Sequence, residues 1–367
     1  MLTNISVGDP KAVRHWSTAL AVDVARKSYF TKFTGEGDNN IIQLKVELEE
    51  DAGDEITYDL VMSLNGEVVE GDDLVEGTEE GLTFYNDSLK INQARKGASA
   101  GGRMTRKRTI HKLRQVAKDR ESEFFAEWLD DLQMTYLSGD AAFEAVNEDR
   151  KISKTFAGNP ITAPDNDHIV FGGAATSKAT LTATDKMTLA GIERLSTKPK
   201  MMKATNPNAI RMSPVSVEGG KKHFVLLMSP WQAHDLRTET GDLSWSKVQQ
   251  ALATYEGKKN AICMGGLGMI NDTVLHEHET VLRFNNYGAG ANVNAARSLF
   301  LGRQAGMMAY GTAGKKNRYG WVEKKFDADN QVAIYGQTIC GFKKTTYNNL
   351  DFGIIAFDTA CKDPNAA

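Results

Sequence analysis

The first apolar pattern in the chain predicts an amphipathic helix. Asp9-Pro10 is a helix-start signal, because a capping carboxylate precedes a proline at the first helical position. The apolar residues that follow recur at helical spacing and form one stripe: Val13, Trp16, Leu20 and Val24. Gly35 and Gly37 end the pattern. Such a helix could pack on its own domain or on a neighbouring copy of the chain.

A period of two then replaces the helical period. The alternating apolar positions of the first run are Ile56, Tyr58, Leu60, Met62 and Leu64. The alternation resumes at Leu82, Phe84, Leu89 and Ile91. Asn65-Gly66 predicts a turn, and Asn86-Asp87 predicts another. We expect an extended β-hairpin over residues 46–98 that leans on another surface, because an isolated two-stranded ribbon is marginally stable.

The outer part of this hairpin is strongly acidic. Its carboxylates are Glu67, Glu70, Asp72, Asp73, Glu76, Glu79 and Glu80. Glycines interrupt the run. We expect an exposed acidic tip.

A longer helical pattern follows a flexible, glycine-rich joint at residues 98–102. It extends from about residue 109 to residue 137, and Ser138-Gly139 closes it. The predicted buried stripe is Ile110, Leu113, Ala117, Phe124, Trp128 and Leu132, whereas residues 118–123 are wholly polar. At about 1.5 Å per residue the helix spans roughly 40 Å, which suits a scaffold for other elements.

The remaining chain mixes helical and strand signals. Phe224 to Met228 is a buried-strand candidate, and Ser229-Pro230 predicts the start of a helix. Short strands are predicted at Val274-Leu275 and Val281-Leu282. The last segment is again rich in β signals: Val332, Ile334, Ile339, Phe342 and residues 352–357. This order predicts an α+β fold.

Composition excludes several classes of protein. The 367 residues carry 44 Lys and Arg against 47 Asp and Glu, so the basic excess of a dedicated nucleic-acid binder is missing. Cys263, Cys340 and Cys361 lie far apart, which predicts neither a disulfide framework nor a zinc knuckle. No apolar run approaches the roughly 20 residues of a membrane span, and no secretion leader is expected.

The candidate catalytic motifs fail on their spacing. His276 and His278 stand two residues apart, whereas the zinc-binding helix motif needs histidines four apart, so we interpret them as exposed strand positions. Residues 265–268 are glycine-rich but lack the spacing of a phosphate-binding loop. We therefore predict no catalytic residue, cofactor or metal, and no enzymatic activity.

One concentrated basic cluster stands out near the start of the long helix. Its members are Lys96, Arg103, Arg106, Lys107, Arg108, Lys112 and Arg114. Positive charge at a helix N-terminus opposes the macrodipole, which suggests an offsetting reason such as phosphate contact or an acidic partner. The alternative is a solvated helix start.

Four stretches of the chain resemble the major capsid proteins of tailed bacteriophages, which have the Hong Kong ninety-seven type fold. Residues 74–87 (LVEGTEEGLTFYND) are the most specific of them. The others are residues 28–35 with 41–42, residues 53–60, and residues 341–345 with 351–359. The local sequence is similar to the branch of podophages related to N-four. The stretches bracket nearly the whole chain, and residues 150–220 match least.

The resemblance implies a division of the chain into five parts. Residues 1–45 would form an N-terminal arm and residues 46–98 the extended β-hairpin loop. Residues 99–160 would form a peripheral domain with a spine helix, and residues 161–320 mainly an axial domain. Residues 321–367 would be a closing sheet, mainly of the peripheral domain.

The resemblance also implies a function. The expected protein is a major capsid protein that forms hexamers and pentamers of an icosahedral head around double-stranded DNA. Its expected partners are other copies of itself, packaged DNA held non-specifically, scaffolding and portal proteins, and decoration proteins in some heads. We expect it in the virion, assembled in the host bacterial cytoplasm and without a membrane. The alternatives are an encapsulin-like nanocompartment shell and, more remotely, a metal-dependent hydrolase using His276 and His278.

Seven charges are the candidate functional residues under this interpretation. Arg103, Arg106, Lys107 and Arg108 could meet Asp72, Asp73 and Glu76 of a neighbouring subunit. Alternatively, the basic residues could face the packaged DNA. The near-neutral net charge favours the contact between subunits, because a surface built to hold DNA tightly is usually basic.

Overall fold

The computed structural model of the protein describes residues 10–50, 53–61, 68–140, 151–152, 155–206, 209–217, 220–239, 266–312 and 317–365. The helices within these ranges are α1 (Pro10–Lys27), α2 (Glu47–Glu50), α3 (Arg103–Arg108), α4 (Leu113–Ser138), α5 (Leu189–Thr205) and α6 (Pro230–Thr238). A 3-10 turn spans Phe30–Phe33. No helix in the described ranges has the length and apolar character needed to cross a membrane.

Most strands lie in the second half of the chain. In order they are β1 (Thr34–Gly35), β2 (Ile42–Lys45), β3 (Glu55–Val61), β4 (Phe84–Lys90), β5 (Asn92–Gly102), β6 (Ile169–Phe171), β7 (Val215–Ser216), β8 (Lys222–Met228), β9 (Gly268–Ile270), β10 (Thr273–Glu277), β11 (Arg283–Tyr287), β12 (Val293–Leu301), β13 (Gly306–Gly311), β14 (Tyr319–Phe326), β15 (Gln331–Lys344), β16 (Thr346–Tyr347), β17 (Leu350–Asp351) and β18 (Ile354–Ala360).

The first large sheet is built around β15. Its order is β1-β2-β13-β15-β14, and β5 pairs antiparallel with β15 along most of its length. Helix α4 packs on β15 and β5, and α1 packs on α4 and β14. The core between helix and sheet contains Phe125, Trp128, Trp321, Ile334 and other apolar side chains. The long helix therefore serves as the platform on which α1 and the sheet meet.

The second large sheet carries α5 and α6. Its order is β6-β18-β12-β8-β10-β9, with β11 beside β12 and β7 beside β8. Ile192 and Leu195 of α5 pack with Leu226, Phe300 and Phe357 of the sheet. In residues 321–367, β14 and β15 belong to the first large sheet, β18 to the second, and β16 and β17 form a separate two-stranded sheet. Strand β5 crosses the expected boundary at residue 98. The five-part division of the chain stays a prediction.

Several predicted elements are confirmed. Helix α6 starts at Pro230 with a capping box between Ser229 and Gln232, and β8 and β10 are buried strands. The long helix is present from Leu113 and ends at Gly139, whose left-handed backbone caps it. Leu20 and Val24 of the α1 stripe are buried. The hairpin turn predicted at Asn65-Gly66 lies outside the described residues.

Three local predictions are wrong. The long helix does not begin at residue 109, because Thr109 is extended and separates α3 from α4. Ile110 is consequently 95% exposed and is no member of the buried stripe. Asn86-Asp87 lies inside β4 instead of in a turn, because the Asp87 side chain finds its hydrogen-bond donors on other elements. Val281 and Leu282 are buried immediately before β11 and are not part of a strand.

Candidate functional site

The acidic loop, defined here as residues 68–83, is almost entirely exposed and contains no regular structure. Asp72, Asp73 and Glu76 all lie in this exposed stretch. Large apolar side chains are exposed with them: Val68, Leu74, Val75, Leu82 and, at the start of β4, Phe84. A surface that combines exposed apolar groups with carboxylates is typical of a contact surface for another macromolecule.

The base of the ribbon formed by β3 and β4 is fixed to the first sheet through Asp87. Its carboxylate accepts hydrogen bonds from the Tyr58 hydroxyl at 2.9 Å and from the Lys343 ammonium. Tyr58 and Lys343 are buried, and Asp87 is nearly buried. Beside them Asn159 accepts from the Lys90 amide at 2.9 Å and donates to the Lys90 carbonyl at 2.8 Å. The base of the ribbon is thus fixed to its own chain, whereas its outer loop is exposed to solvent.

The basic helix α3 presents most of its charges to solvent. Arg103, Lys107 and Arg108 are exposed, as is the apolar side chain of Met104. Arg106 is different, because its guanidinium donates to the carbonyls of Gly101 at 2.7 Å and Asn330 at 3.3 Å. Arg106 therefore holds α3 against the β14–β15 turn, and the other three cations are available to a partner.

The structure does not join the acidic loop and the basic helix within one chain. In the described ranges, none of the ion pairs involves Asp72, Asp73, Glu76, Arg103, Arg106, Lys107 or Arg108. Farther along the cluster, Arg114 pairs with Glu323 at 2.6 Å, and the Lys96 ammonium lies 4.7 Å from the centroid of the Phe124 ring. The basic cluster therefore contains two kinds of charge: those that contact other groups of the same chain, and those that are exposed to solvent.

The segment after α1 is clamped by one carboxylate of α4. Asp130 accepts hydrogen bonds from the Ser28 hydroxyl at 2.7 Å and from the amides of Tyr29 at 2.9 Å and Phe30 at 3.3 Å. Burial raises the pKa of Asp130 to about 6, against the effect of these hydrogen bonds. The sequence patterns missed this clamp, because a single Asp in a helix carries no periodic signal.

Helix α1 is held to the same side of α4. Lys118 pairs with Asp23 at 2.7 Å, and Lys27 donates to the Ser122 hydroxyl at 2.8 Å. Of the two placements open for α1, the structure shows packing on its own chain. The polar run 118–123 is used in this contact, which explains why Lys118 and Ser122 are buried.

Removing the Asp130 carboxylate is expected to release the segment of residues 28–33. Three hydrogen bonds to one acceptor are lost in Asp130→Ala, which should weaken the docking by about 2–4 kcal/mol. Limited trypsin digestion measures this, because cleavage after Lys27 and Lys32 should accelerate more than tenfold. Asp119→Ala is the matched control, since the Asp119 side chain is exposed on the same helix and bonds only Gln115. Equal digestion rates of the two variants would contradict the clamp.

The two candidate metal-binding histidines are not exposed strand positions, as their pattern had predicted. His276 is fully buried in β10, and its ring lies 5.4 Å from that of Phe33. The His278 ring packs on the Tyr29 ring at a tilt of 49°, with 4.4 Å between the ring centroids. Burial, and then the charge of Lys32, lowers the pKa of His278 to about 4. Both rings pack against the clamped segment. Across the described ranges, no cluster of three His, Cys, Asp or Glu side chains is placed to hold a metal ion.

Comparison with known proteins finds that the chain is similar to phage capsid proteins. A family described as phage capsid protein matches residues 4–363. The major capsid protein of Pseudomonas phage KPP25 is 25% identical, over 93% of each chain. The capsid of Ralstonia phage GP4 is 47% identical and covers both chains completely, with a TM-score of 0.86. The cyanophage Pam1 capsid, at 21% identity and a TM-score of 0.67 over 92% of this chain and 94% of that one, shares the fold.

Proposed function

The chain belongs to the phage capsid protein family and is the major capsid protein of a phage, and we propose that its copies form the hexamers and pentamers of an icosahedral head. The observation that carries this proposal is the 47% identity to the Ralstonia phage GP4 capsid over the full length of both chains. The protein is part of the virion, and it associates with copies of itself. Its α+β fold is that of the Hong Kong ninety-seven type.

The exposed charges support a contact between subunits. The acidic loop carries carboxylates and exposed apolar side chains, and α3 carries cations with Met104 exposed beside them. The two surfaces are complementary in charge, and both are apolar in part. We place the acidic loop of one subunit against α3 of its neighbour. Each exposed pair contributes at most about 1 kcal/mol, but a closed shell repeats the contact at every interface.

The other proposed partners are packaged double-stranded DNA, held non-specifically, and scaffolding, portal and decoration proteins. With 47 acidic against 44 basic side chains the subunit has little general attraction for DNA. A DNA-facing role for α3 is the competing use of the same cations. We propose a structural role without catalysis, in which buried His276 and half-buried His278 support the segment after α1.

The contents of the particles test this function. Particles purified from infected cells should contain double-stranded DNA that resists nuclease until the shell is opened. An encapsulin-like compartment would instead enclose a protein cargo. Shells of this chain that hold a cargo enzyme and no DNA would overturn the proposal.

A further inference from the structure

A second buried carboxylate of α4 faces the first sheet. Glu121 is only 2% exposed, although glutamate is rarely buried without a compensating charge. The backbone of β15 approaches it closely at Gly336. A methyl group added to Gly336 would lie 2.8 Å from the Glu121 Oε2 atom and 2.7 Å from the Phe125 ring. Any larger residue at position 336 would therefore have to displace the Glu121 or Phe125 side chain.

The charged groups of the surrounding elements are engaged elsewhere. On α4 itself, Arg114 pairs with Glu323 of β14, and Lys118 pairs with Asp23 of α1. Lys96 of β5 lies over the Phe124 ring. Other titratable groups near Glu121 on these elements include Lys27 of α1, Asp119, Arg120 and Glu123 of α4, Tyr319 of β14 and Tyr335 of β15. Burial raises the pKa of Glu121 to about 8.

We propose that Glu121 is a proton-controlled latch between α4 and the sheet of β5 and β15. The neutral carboxyl lets the helix lie on Gly336, and the ionised carboxylate requires water that the packed interface does not admit. The adjacent residue, Ser122, receives the Lys27 ammonium, and Lys118 one turn earlier holds Asp23. Loosening this turn of α4 therefore also loosens α1.

The direction of the pH effect follows from proton linkage. The pKa of Glu121 in the folded chain, about 8, is above the ordinary value of 4.5. The folded chain therefore retains a proton that the unfolded chain has released. This stabilisation is complete below about pH 4.5 and is lost as the pH rises through about 8. Within this window the equilibrium constant for folding should fall by up to about tenfold for each pH unit.

Glu121→Gln tests the latch, because it keeps the shape of the side chain and cannot ionise. Urea unfolding of the full-length subunit at pH 5–9 should show a folding constant that decreases with pH in the wild type. The folding constant of Glu121→Gln, divided by that of the wild type, should rise by up to about tenfold for each pH unit between pH 5 and 8. Glu123→Gln is the control on the same helix, since Glu123 is partly exposed and pairs with Arg120. Parallel pH curves for wild type and Glu121→Gln would overturn the proposal.

A measurement on the wild type gives an independent answer if the variant does not fold. A protonated buried carboxyl has a carbonyl stretching band in infrared difference spectra, and it should disappear between pH 7 and pH 9. Hydrogen exchange of α1 should accelerate over the same range beyond the intrinsic effect of pH. Absence of the carbonyl band at pH 7 would also overturn the latch.

Discussion

Reversing two exposed cations of α3, in the double variant Lys107→Glu with Arg108→Glu, is expected to stop the assembly of empty shells. Both side chains are exposed, and neither is used within the described chain. The variant replaces two attractions to the acidic loop of a neighbour with two repulsions. Loss of the two attractions, at up to about 1 kcal/mol each, would by itself weaken each contact up to roughly thirtyfold, and the two repulsions weaken it further. Light scattering and electron microscopy of the purified protein, with its scaffolding protein, measure the yield of shells.

The compensating variant distinguishes a direct contact from a general effect of charge. When Asp72→Lys and Asp73→Lys are added to the α3 double variant, shell assembly should be partly restored if the acidic loop contacts α3. Lys221→Glu with Lys222→Glu is the matched control, because it makes the same change of net charge at exposed lysines elsewhere. Normal empty shells from the α3 variant, with loss of DNA filling alone, would show that α3 faces the packaged DNA instead.

Replacing Asp358 by alanine is expected to have the largest effect on stability. Its carboxylate pairs with Arg297 at 2.8 Å and accepts from the Tyr287 hydroxyl at 2.7 Å, all within the core of the second sheet. Arg297 also donates to the Ser138 carbonyl at the end of α4, at 2.9 Å. The variant leaves a buried guanidinium without its charge partner. The free energy of unfolding should therefore fall by about 3–5 kcal/mol.

Chemical denaturation of the unassembled subunit measures this loss. Lys200→Ala is the control, because it breaks the Lys200–Asp272 pair, in which both side chains are about half exposed. The control should change the free energy of unfolding by at most about 1 kcal/mol. If Asp358→Ala were no more destabilising than the control, the buried pair would not be what joins α4 to the second sheet.

The sequence predicted those elements whose apolar residues repeat with a clear period. The strand at residues 224–228 and the body of the long helix were predicted correctly because packing fixes the spacing of their buried side chains. Ile110 was misassigned because it lies in the non-helical link between α3 and α4 that begins at Thr109. A single apolar residue in such a link can match the helical period by chance. Asn86-Asp87 was misassigned because local turn propensity was overridden by the tertiary partners Tyr58 and Lys343.

Only part of the functional surfaces could be predicted from the sequence. The exposure of the acidic loop follows from its composition, and the structure shows it. The split of the basic cluster could not be predicted, because the acceptors of Arg106 are backbone carbonyls, one of them more than 200 residues away in sequence. Asp130 and Glu121 escaped notice for a related reason. The burial of these two carboxylates can be recognised only when the residues that pack against them are known. Glu121 even lies in a stretch of polar residues, 118–123.

Electron microscopy of the expressed chain, alone and together with a scaffolding protein, shows directly whether it is a shell subunit. We expect closed icosahedral shells in at least one of the two preparations, with the acidic loop of each subunit lying on α3 of its neighbour. A chain that stays monomeric in both preparations would contradict its role as a shell subunit.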